Sequence, residues 1–119
     1  MTHWITYQLY IELEQEVTLN IGSLGEFSFP KGKYVYTGSA RRNIQARVCR
    51  HLKTSGKKLR WHIDYLLHSR CSIITGFQLF EIPECELNKV TEGRPIISGF
   101  GASDCRVGCI SHLKYKGQA

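Results

Sequence analysis

The chain has 119 residues, enough for one hydrophobic core and too few for two domains. Its apolar runs are broken by charge or glycine within about ten residues, which argues against a spanning helix, and no basic-then-apolar leader opens it, so a cytoplasmic protein is expected. Five cysteines, an odd number without the dense spacing of a secreted framework, read as reduced thiols, and a net charge of +6 points towards polyanions.

Ile5, Tyr7, Leu9 and Ile11 alternate with Thr6, Gln8 and Tyr10, the period-two pattern of a strand with one buried face. Alternating runs at Val17-Leu19-Ile21 and Phe27-Phe29, separated by a turn from Gly22 to Gly25, predict two more short strands. Pro30-Lys31-Gly32 then leads into a strand from Lys33 to Thr37. Ile44, Val48 and Leu52 recur at every fourth residue, which predicts a helix from about Arg42 to Leu52 with Asn43, Arg47, Arg50 and His51 on its polar face. After a loop from Lys53 to Lys58, Leu59 to His68 reads as a second helix and the β-branched run Ser72 to Phe80 as a central strand. Pro83 opens a third helix, with Glu84 and Glu86 in the first turn where acidic side chains complement the helix dipole. The glycine-rich tail after Gly93 ends in a strand near Ile110 to Tyr115. Together these predict a single α/β domain, a small mixed or antiparallel sheet flanked by helices.

Charge is distributed unevenly. Between Phe27 and Ile63 there is no Asp or Glu, yet ten of the sixteen Lys and Arg lie there. One reading is a solvated basic face that keeps the protein in solution. The other is a nucleic-acid surface driven by counterion release, formed by Gly38, Ser39, Arg41, Arg42, Asn43, Arg50, Lys53, Lys57, Lys58 and Arg60.

Within this basic stretch Tyr36-Thr37-Gly38 is followed nine residues later by Arg47, and Tyr7 closes the earlier Ile5-Thr6-Tyr7. This spacing resembles the signature of the GIY-YIG nuclease superfamily. Leu59-Arg60-Trp61-His62-Ile63-Asp64-Tyr65-Leu66-Leu67 and Gly99-Phe100-Gly101-Ala102-Ser103-Asp104-Cys105 resemble the segments of its Uri-type endonuclease branch, so the likeness runs from about residue 5 to residue 113. In that superfamily the two tyrosine motifs lie closer together, which makes residues 14–31 an inserted hairpin that leaves the two tyrosine strands adjacent. The family usually has glycine where this chain has Ile5.

The resemblance implies an endonuclease that hydrolyses phosphodiester bonds in DNA, with RNA open, and depends on Mg2+ or Mn2+. It assigns Tyr7 and Tyr36 to the paired tyrosines, Arg47 to the phosphate and Glu84 to the metal, with Glu86 second in line. His51, one helical turn beyond Arg47, is placed to meet phosphate or relay a proton, or is simply exposed. Taken without the family, the tyrosines equally fill a sheet face, the arginine a basic surface and the carboxylates a helix terminus. The alternative function is a non-catalytic nucleic-acid-binding module on a degenerate scaffold of the same type, and Ile5 favours it.

Two further groups stand out. His62-Ile63-Asp64 is either an annex of the site or a self-satisfied pair on a packed helix. Cys105, Cys109 and His112, with Cys85 as a fourth donor, are either zinc ligands or buried thiols beside a structural histidine.

Overall fold

The alternation at the start of the chain produces Thr6–Leu13 (β1), and in the computed structural model, which describes residues 4–40, 42–53, 59, 61–101 and 108–118, this strand is the axis of the molecule. Val17–Asn20 (β2) and Glu26–Phe29 (β3) pair with each other in a separate two-stranded sheet. They lie between β1 and Gly32–Ser39 (β4), which pair antiparallel from Thr6 opposite Ser39 to Leu13 opposite Gly32. Residues 14–31 therefore leave the chain as a hairpin and return it to the same ladder. Ser72–Phe80 (β5) pairs with the other side of β1 and Leu113–Gly117 (β6) with β4, giving an all-antiparallel sheet in the order β5-β1-β4-β6.

β1, expected to have one buried face, has both covered. Tyr7, Leu9, Ile11 and Leu13 enter the main core with Ile21, Phe29, Tyr34 and Phe100. On the opposite face Thr6 and Gln8 are buried too, and burying their polar groups requires partners. Gln8 Nε2 donates to Thr37 Oγ1 at 3.2 Å and to Thr91 Oγ1 at 2.8 Å, and Thr6 Oγ1 donates to the Ile82 carbonyl at 2.5 Å.

Ser72–Phe80, expected as a central strand, lies instead at the sheet edge, with Ile73 and Phe77 exposed. A short apolar run has the same composition at an edge as in a sheet centre, so composition alone does not separate the two.

Among the described residues three α-helices complete the domain: Ile44–Leu52 (α1), His62–Leu67 (α2) and Glu84–Val90 (α3). α1 begins two residues later than its periodicity suggests because Asn43 adopts a left-handed conformation, φ 48°, and its side-chain oxygen accepts the Ala46 N–H at 3.2 Å. α2 begins at His62 because the Asp64 carboxylate takes the Trp61 N–H at 2.8 Å while the Asp64 N–H meets the Trp61 carbonyl at 2.9 Å. Ile44 and Val48 of α1 and Ile63 and Leu66 of α2 pack into the same core as Tyr7. The last strand starts at Leu113, later than Ile110, since Ser111 Oγ caps it by accepting the Leu113 N–H at 3.1 Å. Among the described residues no helix is long and apolar enough to cross a membrane.

Candidate active site

The β1–β4 register places Tyr7 opposite Gly38 and Leu9 opposite Tyr36, so both tyrosine rings rise from one face with centroids 6.4 Å apart. Tyr7 lies across Gly38. A Cβ there would stand 2.5 Å from Tyr7 Cζ, so this position accepts only glycine while the ring keeps its place. The close backbone approach is made at Gly38, while Ile5 serves the ladder, its carbonyl accepting the Ala40 N–H at 3.0 Å. Tyr36 is held from the far side by Phe100, edge-on at 6.1 Å, and by Gly101, where a Cβ would come within 2.9 Å of its ring.

Tyr7 and Tyr36 are 2 % and 7 % exposed. Burial raises the pKa of both, and the nearby Glu84 and Asp64 carboxylates add to the effect while Arg47 opposes it. Both hydroxyls are therefore protonated at neutral pH, and that of Tyr7 shares a hydrogen bond of 2.8 Å with His51 Nε2.

His51 is not on an exposed helix face. It is buried, with its ring 5.3 Å from Tyr7 and 6.0 Å from Trp61, and its Nδ1 is 3.9 Å from Asp64 Oδ1. Asp64, fully buried, receives both arms of Arg50, Nη1 to Oδ1 at 2.9 Å and Nη2 to Oδ2 at 3.1 Å. Arg50, expected on the nucleic-acid surface, is thus committed to an internal fork. Removing one partner of such a pair leaves a buried charge, at a cost of about 3–5 kcal/mol.

Arg47 Nη1 donates to the Ser39 carbonyl at 2.8 Å, and its guanidinium lies 4.7 Å from the Trp61 ring centroid, with that of Arg50 at 4.5 Å. These contacts fix the Arg47 fork beside Tyr7 and leave further N–H groups for an anion.

His62 and Asp64 are not partners. His62 Nδ1 accepts the Gly101 N–H at 2.9 Å, and burial lowers its pKa, so the neutral ring pins the glycine that crosses Tyr36.

Glu84 opens α3 beside the end of β4. Its Oε1 is 3.4 Å from Ser39 Oγ and its Oε2 is 3.2 Å from His112 Nδ1, while Glu86 is exposed. Cys85 Sγ lies 3.8 Å from His112 Nε2, and one donor atom each from Cys85, Cys109 and His112 falls within 4.8 Å of the others.

A family model matches residues 6–119, from the first residue of β1 onwards. The chain belongs to the family described as Domain of unknown function DUF123. No curated protein and no solved structure matches it. In this DUF123 domain Tyr7, Tyr36, Arg47 and His51 come together over β1 and β4, and Glu84 joins them through Ser39.

Of the residues expected to meet nucleic acid, Arg42 and Lys53 are exposed, Asn43 caps α1, and Gly38 is buried under Tyr7. Arg41, Lys57, Lys58, Arg60 and, from the zinc group, Cys105 lie outside the described residues. Trp61 and Phe100 were not singled out for a role in the sequence, yet they orient Arg47 and Tyr36.

Proposed function

We propose that this domain is a metal-dependent endonuclease of the GIY-YIG type, Uri-like branch, cutting DNA at the face formed by Tyr7, Tyr36, Arg47 and Glu84. The observation that carries this reading is the buried Tyr7–His51 hydrogen bond of 2.8 Å beside the fixed Arg47 fork. A phosphodiester is cut when a proton is taken from water as its oxygen attacks phosphorus, negative charge on the phosphoryl oxygens is offset, and the leaving oxygen departs.

Tyr7, whose raised pKa keeps it protonated, needs a proton acceptor of its own before it can accept one. His51 supplies that acceptor. With its proton on Nδ1, towards Asp64, its Nε2 takes the Tyr7 proton while the tyrosine oxygen takes one from water. Asp64, held by Arg50, favours the imidazolium that results. Arg47 contributes N–H groups to the phosphoryl oxygens in the fork geometry suited to phosphate. Tyr36, its ring tilted against that of Tyr7 at 6.4 Å, is the second hydroxyl assigned to the same substrate.

Glu84 is the residue that would hold magnesium or manganese. Its side chain is 25 % exposed and offers a hard oxygen next to Ser39, a donor type these ions accept, with water and phosphate filling the other positions. Bound there, such an ion polarises a phosphoryl oxygen.

The non-catalytic binding module is favoured by the near-complete burial of both tyrosines, which narrows the approach of a scissile phosphate. One experiment separates the two. Labelled duplex, branched and single-stranded DNA and the corresponding RNAs are incubated with Mg2+, Mn2+ or chelator. The expected result is metal-dependent DNA cleavage that Tyr7→Phe lowers by about 100- to 10,000-fold, the usual contribution of a positioned acid or base, with binding retained. Binding without cleavage of any substrate would replace this reading by the module.

A further inference from the structure

We infer that Cys85, Cys109 and His112 form a zinc site that ties the start of α3 to the segment leading into β6, a site whose three donors are separate from the nuclease residues and which meets them only at Glu84. Two thiols and an imidazole are a soft donor set that selects zinc over magnesium. Spacing supports the same ion. Ligands bound tetrahedrally at about 2.3 Å for sulfur and about 2.1 Å for nitrogen lie about 3.6 Å apart. Cys85 Sγ and His112 Nε2 are already 3.8 Å apart, and all three donors fall within 4.8 Å of one another, so metal entry requires a contraction well within side-chain reach.

Orientation adds an observation that spacing does not. A zinc-bound histidine commonly gives its other ring nitrogen to a carboxylate, which fixes the ring and makes it a better ligand. In His112, Nε2 lies 3.8 Å from Cys85 Sγ and Nδ1 lies 3.2 Å from Glu84 Oε2, an ion-pair distance outside hydrogen-bond alignment that a small ring rotation on metal binding would correct. The ring is buried, and the His112 carbonyl accepts the Thr37 N–H at 2.9 Å, so its backbone is anchored to β4 beside the tyrosine motif. Three protein donors leave the fourth position to water, as zinc tolerates when it is held by three side chains. The ion would release the two thiol protons on binding and be neither oxidised nor reduced.

The test uses the full chain with reduced thiols. Zinc is removed with a chelator and returned by titration, bound metal is measured by elemental analysis, and cobalt is used in parallel for its thiolate charge-transfer and tetrahedral absorption bands. Iodoacetamide labelling is mapped by peptide mass spectrometry at each step.

One zinc per chain is expected, with Cys85 and Cys109 protected from alkylation by zinc but not by magnesium, and exposed Cys49 labelled equally throughout. Cys85→Ser or Cys109→Ser should weaken zinc binding by more than about 100-fold, and Glu84→Gln by about 10- to 100-fold, the range for an outer carboxylate. Should a serine variant fail to fold, protection of the two wild-type thiols decides the matter alone. Equal alkylation with and without zinc, absence of cobalt–thiolate absorption, or undiminished affinity in both serine variants would overturn the site.

Discussion

Gly38→Ala tests the proposed reaction without removing any reacting group. Gly38 is not in the left-handed region, so alanine is allowed by the backbone, and the conflict is with one ring. The new methyl would stand 2.5 Å from Tyr7 Cζ and nearer still to the hydroxyl. Carbon atoms pack at about 3.5 Å, so the ring must retreat by about 1 Å. A ring shift of that size misaligns the 2.8 Å Tyr7–His51 contact. Overpacking of this kind costs about 1–3 kcal/mol of stability, visible as a fall in melting temperature of about 4 °C per kcal/mol for a domain of this size. Misplacing a reacting group by about 1 Å lowers the rate by about 100-fold. Single-turnover cleavage, binding and melting are measured on the same preparations at a temperature where the variant is folded. Gly76→Ala is the control, since its Cβ would meet only Tyr10 Cδ2 at an ordinary 3.7 Å. Wild-type cleavage by Gly38→Ala, or a rate loss matched by lost binding, would refute the role given to the Tyr7–His51 bond.

Three other expectations concern separate parts of the site. Arg47→Ala should reduce cleavage more than binding and Arg47→Lys should restore only part of it, because a point charge lacks the planar fork; equal losses in rate and affinity would make Arg47 a positioning contact. In zinc-saturated protein, Glu84→Gln should abolish metal-dependent cleavage with binding intact and Glu86→Gln should change little, since Glu86 is exposed; the opposite pattern would move the metal ligand two residues along α3. Burial raises the pKa of Tyr7, Tyr34 and Tyr36, so the unfolded chain ionises these groups first as pH rises. Their contribution is complete below about pH 10 and is lost above it, so the urea midpoint should fall through that range, and ionisation of all three at pH 10 in the folded state, followed by ultraviolet absorbance, would contradict the burial argument.

Much of the frame was legible because it rests on local pattern. Alternation from Ile5 to Ile11 and the run from Lys33 into Tyr36-Thr37-Gly38 placed the two tyrosine strands, although β4 continues through Gly38 to Ser39, and the apolar segments between them were short enough to form a hairpin apart from the main ladder. Position within the sheet was less legible. Ile73, Ile74 and Phe77 have the composition of a central strand, but only the long-range pairing of β1 shows that β5 covers one side of it and β4 the other. His51 was misplaced, and the Asp64 fork of the partly exposed Arg50 missed, for a related reason. A helical wheel sorts them by polarity, yet Tyr7 and Asp64 offer partners inside, and a satisfied polar group can enter a core. Cys85 and His112 are 27 residues apart, and their approach depends on the docking of α3 and β6, which no local spacing encodes.

The position of Trp61 also makes the domain its own optical probe. Indole emission responds to charges against the ring, and this ring carries the guanidinium groups of Arg47 and Arg50 at 4.7 and 4.5 Å. The only other indole, Trp4, is exposed and replaceable by phenylalanine. Arg50 is held by Asp64, so a ligand that draws away one cation will draw Arg47. A shift in the single remaining emission would then time the arrival of phosphate at that arginine, separately from any later cut, with no label attached to either molecule.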